Sequence, residues 1–309
     1  MKHLFLFLGT ILFLSCHDNI DLQRFGKESR LVVYAFPTDT DSIRITISAS
    51  QPLGGSIPAL HVTEVRCTTN GHNDRMVHAK DTFEGRFPVS TWYAIGKHRC
   101  GDEIRIAVRA EGLPEATGTT RIPSPTVPEE AALDTVYYKG NLYTQIRLNL
   151  PSARHQSRHA VRVVGWYAPE DADVPPRPEF MEVETTAEPL LNHHSNVELG
   201  FGSADDFYHR MYIFDNSTFL SSGAVLHLNV WQQPGIKACR AQLFTLSEEY
   251  YSLLQSLNNT DNNVMASHGL AFAFSTYTNI RGGYGCVGGY SLAETPWMGG
   301  EGEKSQGSE

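Results

Sequence analysis

Glu103–Ala110 (EIRIAVRA) alternates without a break, with Ile104, Ile106, Val108 and Ala110 on one face and Arg105 and Arg109 on the other. Successive side chains of a β-strand point to opposite faces, so a period of two specifies a strand with one face buried. Ser42–Ser50 repeats the pattern through Ile43, Ile45, Ile47 and Ala49, and Ala224–Trp231 repeats it through Leu226, Leu228 and Val230. Arg30–Phe36, His61–Thr69, Thr91–Ile95, Leu142–Leu150, Val161–Tyr167, Phe180–Thr185, Met211–Phe214, Lys237–Phe244, Gly269–Ile280 and Gly285–Ser291 read as further strands. Gly, Pro and Asn clusters punctuate them. Short strands with almost no helical period between them predict a mainly β chain built of sandwiches. One helix is predicted, over 247–258. There Tyr250, Leu253, Leu254 and Leu257 form one apolar stripe, Ser247 can cap the start, and Glu248 and Glu249 sit in the first turn.

Ile122–Pro128 (IPSPTVP) packs three prolines into a short stretch, which favours an extended connector and marks a boundary. The predicted organisation is an immunoglobulin-like β-sandwich over 30–122 and a Pro-rich linker over 123–132. A second sandwich-like β domain follows over 133–292, and a disordered tail over 293–309.

The chain begins MKHLFLFLGTILFLSC. Leu4–Leu14 is an almost unbroken apolar run behind Lys2 and His3, too short for a hydrocarbon core that needs about twenty residues. It has the length of a signal-peptide core, about 7–15 residues. Phe13-Leu14-Ser15-Cys16 resembles a bacterial lipobox, in which the cysteine is lipidated; an ordinary secretory signal with an incidental cysteine is the competing reading. Lipid on Cys16 would hold the protein at a membrane without a transmembrane helix. Residues 17–29 are polar and aperiodic and read as a tether.

Lys plus Arg number 25 against 34 acidic residues, a formal charge of −9, which argues against nucleic acid as a partner. After Cys16 only Cys67, Cys100, Cys239 and Cys286 remain. An even number in an exported chain predicts two disulfides. Pairing Cys67 with Cys100 and Cys239 with Cys286 keeps each bond within one domain; free buried thiols are the alternative.

Several features stand together in order. They are the lipobox, Arg30–Phe36, Ser48–Pro52, the Ile122-Pro123-Ser124-Pro125 connector, the cysteine-bearing strand Lys237–Phe244 and the helix from Leu246 to Tyr251. After them come Tyr277–Gly285 (YTNIRGGYG) and Gly288-Gly289-Tyr290-Ser291. This order resembles the Bacteroidota lipoproteins grouped as the domain-of-unknown-function 4249 family. The resemblance implies an outer-membrane lipoprotein, associated with a TonB-dependent transporter in nutrient capture, with no enzymatic residues and no cofactor.

Candidate chemistry is sparse. His155 and His159 are four apart but lie in a polar stretch without HExxH, and adjacent His193-His194 and Asp205-Asp206 read as surface loop. There is no GxSxG elbow. Gly282–Gly289 holds five glycines but continues as strand rather than into a helix, so close backbone approach explains it better than phosphate binding. The one hint of a binding surface is aromatic: Trp92, Trp166 and Trp231 can present rings to a glycan or peptide. The reading is a non-enzymatic, lipid-anchored outer-membrane protein that binds a ligand or a transporter. A structural or adhesive surface protein of fimbrial-accessory type is the alternative, with an exposed strand edge as its mark. A hydrolase stands third, with a hydrogen-bonded Ser-His pair as its mark.

Overall fold

The computed structural model describes residues 28–52, 55–168, 175–191, 211–261 and 276–299. The leader, Cys16 and nearly all of the tether lie outside these residues, as do His193-His194 and Asp205-Asp206. Among the described residues no helix is long and apolar enough to cross a membrane.

Eight strands build the first sandwich: β1 (Leu31–Ala35), β2 (Ser42–Ala49), β3 (Val62–Thr69), β4 (His72–Asn73), β5 (Arg75–Glu84), β6 (Phe87–Ile95), β7 (Glu103–Ala110) and β8 (Leu113–Arg121). One sheet runs β1-β2-β6-β5 and the other β4-β3-β7-β8. That is the A-B-E-D and C-F-G order of an immunoglobulin constant-type domain, with β4 as a short extra strand beside C. The alternating faces dictate the packing: Ile43, Ile45 and Ile47 of β2 meet Ile104, Ile106 and Val108 of β7 in one dry core. Asn70-Gly71 turns β3 into β4 with both residues at positive φ, the geometry of a tight two-residue hairpin.

The second sandwich begins with β9 (Glu130–Tyr138), β10 (Asn141–Leu150), β11 (Arg158–Tyr167), β12 (Arg177–Met181) and β13 (Tyr212–Asp215). It continues with β14 (Ala224–Trp231) and β15 (Ile236–Leu246), then helix α1 (Glu248–Asp261), β16 (Tyr284–Val287) and β17 (Tyr290–Glu294). Its sheets run β9-β10-β14 and β12-β11-β15-β17, with β13 sharing the β12 edge of β11. In immunoglobulin letters this is A-B-E against C′-C-F-G, so the second domain repeats the strand order of the first. Ile146, Leu148, Val161, Val163, Leu226, Leu228 and Leu243 fill its core. The mainly β, two-sandwich architecture, with one α-helix among the described residues, is as the sequence predicts.

The division between the domains is not. β16, which the sequence places in the C-terminal domain, pairs in parallel with β1 and becomes the fifth strand of the first sheet, Val32 opposite Tyr284 and Ala35 opposite Val287. The connection between the last two strands of the second sandwich therefore leaves it, completes the first, and returns. Gly288 N–H donates to the Ala35 carbonyl at 3.0 Å and Tyr290 N–H to that of Pro37 at 3.0 Å, fastening the crossing. Above it α1 buries Tyr250, Leu253 and Leu254 in a third core that draws Tyr34 and Phe36 from the first domain and Ala160, Ile213 and Phe244 from the second. Ser247 caps the helix, its Oγ accepting from Tyr250 N–H at 3.3 Å.

The connector is likewise no free linker: Ile122 is buried in the first core and Thr126 N–H donates to Thr245 Oγ1 at 2.9 Å, while β9 has begun by Glu130. Residues 293–299, which the sequence places in a disordered tail, are ordered. Met298 exchanges backbone hydrogen bonds with Cys239, while Thr295 N–H donates to the Ala241 carbonyl and Thr295 Oγ1 accepts from Ala241 N–H, extending the β15 ladder beyond β17.

All four described cysteines are free thiols, which corrects the predicted disulfides. Cys67 lies in the first core, whereas Cys100 is half-exposed in the turn before β7. Cys239 lines the second core and Cys286 the helix-capped one, because β16 has carried Cys286 out of the second domain. Burial pushes the Cys239 thiol up to about 11 and those of Cys67 and Cys286 higher, so all three stay protonated.

Candidate functional site

The outer face of the β9-β10-β14 sheet gathers outward polar and aromatic side chains around an exposed indole. β10 points Ile146, Leu148 and Leu150 inward, so parity turns Tyr143, Gln145, Arg147 and Asn149 outward. β14 lies antiparallel beside it, placing Trp231 opposite Tyr143, Asn229 opposite Gln145 and His227 opposite Arg147. On the other flank β9 sets Asp134 opposite Gln145 and Glu130 opposite Asn149.

Trp231 is 50 % exposed and stands edge-on to the buried Tyr143 ring, centroids 5.4 Å apart. Tyr138 extends the row at 6.4 Å from Tyr143. Below the rings, Gln145 Nε2 donates to Asn229 Oδ1 at 2.8 Å, Arg147 Nε meets Asp134 Oδ2 at 2.7 Å, and Asn149 Nδ2 donates to Glu130 Oε2 at 3.0 Å. The exposed Arg147–Asp134 pair adds little stability, whereas the Gln145–Asn229 bond is largely buried, Asn229 being 3 % exposed. Together the pairs hold guanidinium, amide and carboxylate groups in fixed positions along the sheet.

The 184–191 segment reaches from β14 to the β9–β10 turn. The buried Glu188 carboxylate accepts from His227 N–H at 2.8 Å and Leu190 N–H at 3.1 Å, and its Oε2 lies 3.3 Å from His227 Nδ1. Tyr138 Oη donates to the Thr186 carbonyl and Lys139 Nζ to Thr186 Oγ1 at 2.7 Å. A separate cleft of about 220 Å³ is lined by Thr144, Gln232, Ile236, Lys237, Cys239 and Met298.

The other two candidate tryptophans lie elsewhere. Trp92 is half-buried against the first core, its Nε1 donating to Ser90 Oγ at 3.0 Å and its ring against His78. Trp166 is exposed on the opposite sheet, beside Trp297 at 5.8 Å, with Arg240 stacked on Trp297. The three rings do not form one surface. The polar partners of Trp231 escaped the sequence reading because outward polar positions on a half-buried strand look like ordinary solvated residues.

The hydrolase mark is present in part. Ser157 Oγ and His159 Nε2 are 2.7 Å apart. His159 is 2 % exposed, stacks on Phe214, and burial lowers its pKa to about 4. Its buried Nδ1 has no hydrogen-bond partner among the described residues, while the nearby Asp215 carboxylate is committed to Ser217 N–H and Arg158. A working triad needs the third group on the far ring nitrogen and an open side on the serine. The 220 Å³ cleft touches neither residue, nor does a 540 Å³ groove on the first sandwich lined by Ile57, Leu60, Thr82, Phe83, Arg86 and Pro88. The pair acts as a structural contact. His155 offers its backbone carbonyl to Asn216 and no ligand set forms with His159; among the described residues no group of His, Cys, Asp and Glu can hold a metal.

The glycine cluster is a close-approach device. A Cβ on Gly288 would lie 2.7 Å from Tyr250 Cβ, and one on Gly289 would lie 2.4 Å from the Arg121 carbonyl oxygen.

No curated protein matches the chain. Among solved structures, it is similar to the Escherichia coli adhesin FdeC at 15 % identity and a TM-score of 0.21, covering 71 % of this chain and 58 % of that one. The Yersinia pseudotuberculosis adhesin InvE matches at 14 % identity and 0.20, covering 71 % and 55 %. The chain thus spans a little over half of each, and likeness at this level does not bear on what it binds. The model of the family described as Domain of unknown function (DUF4249) matches residues 18–295, nearly all of the chain from just past Cys16 to the end of β17, and the protein belongs to that family.

Proposed function

We propose that the protein is a non-enzymatic, lipid-anchored binding protein of the outer membrane that presents extended glycans on the Trp231 face of its second sandwich. It would act as the ligand-capturing accessory of a TonB-dependent uptake system. The observation that carries this reading is the half-exposed Trp231 indole, held edge-on by Tyr143 at the head of a row of amide, guanidinium and carboxylate groups. Sugar rings offer an apolar face for stacking and hydroxyls for such groups. A row of this length along β14 spans about 20 Å at 3.3 Å per residue, which suits an extended polymer rather than a small enclosed molecule. Anchoring is supported by the Leu4–Leu14 run and Phe13-Leu14-Ser15-Cys16, and the transporter link by the family resemblance.

The test is retention. The full chain in detergent, run on native gels cast with single polysaccharides, is retarded by at least one of them, and Trp231→Ala removes the retardation. Unaltered mobility in every gel overturns the reading. Anchoring is read separately: Cys16→Ala moves the chain out of the membrane fraction, and co-purification of a large barrel protein identifies the transporter. A structural or adhesive role is favoured by one different observation, the long unpaired edge of β5.

A further inference from the structure

β5 closes one side of the first sandwich: it pairs with β6 on one edge, and among the described residues nothing pairs with the other. At ten residues it is long for an edge strand, and it exposes Val77 and, at 75 %, Phe83. Open edges of this kind are templates for pairing, and proteins ordinarily blunt them with charge and bulges. β5 carries both, and their arrangement selects one partner rather than excluding all.

The basic residues Arg75, His78 and Lys80 occupy its first part, and Asp81 and Glu84 its last. Antiparallel alignment with an identical strand, Arg75 opposite Glu84, sets opposite charges together at both ends. The same register brings Met76 against Phe83, Val77 against Thr82 and His78 against Asp81. In an unbroken strand such odd spacings would put the members of each pair on opposite faces. The bulge removes the conflict. Ala79 has no partner on β6, so parity reverses there. The reversal is visible in the molecule: His78 and Asp81 share a face, with Nε2 and Oδ1 2.9 Å apart.

We propose that β5 is a self-association edge, where a second copy of this chain pairs antiparallel across a two-fold axis to join two five-stranded sheets into one. The contact is isologous, each residue meeting its complement twice. Parallel and slipped registers lose the Arg75–Glu84 charge pairs at the two ends, and a slip by one residue also mismatches the faces. A single strand-edge contact falls at the small end of interfaces, below about 1,200 Å² in total, so association is weak and depends on concentration.

The experiment is sedimentation equilibrium of the full chain in density-matched detergent, over about 1 to 100 µM, the range where such contacts form. The wild-type protein passes from monomer to dimer. Arg75→Glu, which sets two carboxylates opposite each other, weakens dimerisation at least about tenfold. The swap Arg75→Glu with Glu84→Arg restores it, which a merely structural role for either residue would not do. Phe83→Asp, at a position too exposed to unfold the domain, weakens it similarly. A wild-type chain that stays monomeric, or a dimer indifferent to these substitutions, or a swap that fails to restore association, overturns the proposal.

Discussion

Gly285 lies so close to Val33 across the parallel β1–β16 pair that a Cβ on it would stand 2.1 Å from the Val33 carbonyl oxygen, and its φ is +104°. Both facts exclude a side chain. This contact is where the C-terminal part of the chain completes the N-terminal sheet.

Gly285→Ala therefore loosens β16 and costs about 2–4 kcal/mol of unfolding free energy, the range for backbone clash joined to a strained dihedral. Gly140→Ala is the control. Its φ is +81° with nothing within 4 Å of the added Cβ, so it costs about 1 kcal/mol. Urea unfolding of the two variants separates packing from dihedral strain.

Ser247 both caps α1 and reaches into the first domain, where Thr120 Oγ1 lies 3.1 Å from its Oγ and 3.0 Å from Glu249 Oε2. Ser247→Ala removes the cap and one partner of a buried hydroxyl, at about 1–2 kcal/mol. Hydrogen exchange should quicken in α1 and β16 together, and a change confined to the first turn of the helix would contradict their coupling.

His159 titrates at about 4 in the fold because burial disfavours its charged form, against an ordinary value of 6.5. Above pH 6.5 it is neutral in both states and the pH has no hold on it. Between 6.5 and 4 the unfolded chain takes up the proton first, so stability falls with falling pH, by about 3 kcal/mol when complete. Unfolding midpoints measured across that window show this loss in the wild-type protein, and His159→Gln flattens it by the same amount.

The thiols give a direct count. Cys100 is half-exposed and Cys67, Cys239 and Cys286 are buried. Maleimide labelling followed by mass measurement should modify Cys100 in the native protein and all four after denaturation without reductant. Fewer than four labels under those conditions would restore the disulfides.

Much of the strand layout is legible because a buried face imposes alternation: Ser42–Ala49, Glu103–Ala110 and Ala224–Trp231 appear where their periods place them. β5 escapes because neither of its faces is buried throughout, and β8 because Ala116, Gly118 and Thr120 fill its inward positions with small residues. β16 reads correctly as strand but not as a member of the first sheet, since a parallel pairing between residues so distant leaves no local trace. Its glycines were the available signal: backbone pressed against backbone needs them, but their spacing does not say whose. Trp231 was legible as an aromatic; Tyr143, Gln145, Asn229, Arg147 and Asp134 became its neighbours only through the β9-β10-β14 register.

The binding account rests on Trp231, and calorimetry with the retained polysaccharide tests it most directly. The account predicts that Trp231→Ala weakens affinity at least about tenfold, roughly 1.4 kcal/mol, while Trp92→Ala, on the other domain, leaves it unchanged. Equal affinities for the wild-type protein and Trp231→Ala would contradict it.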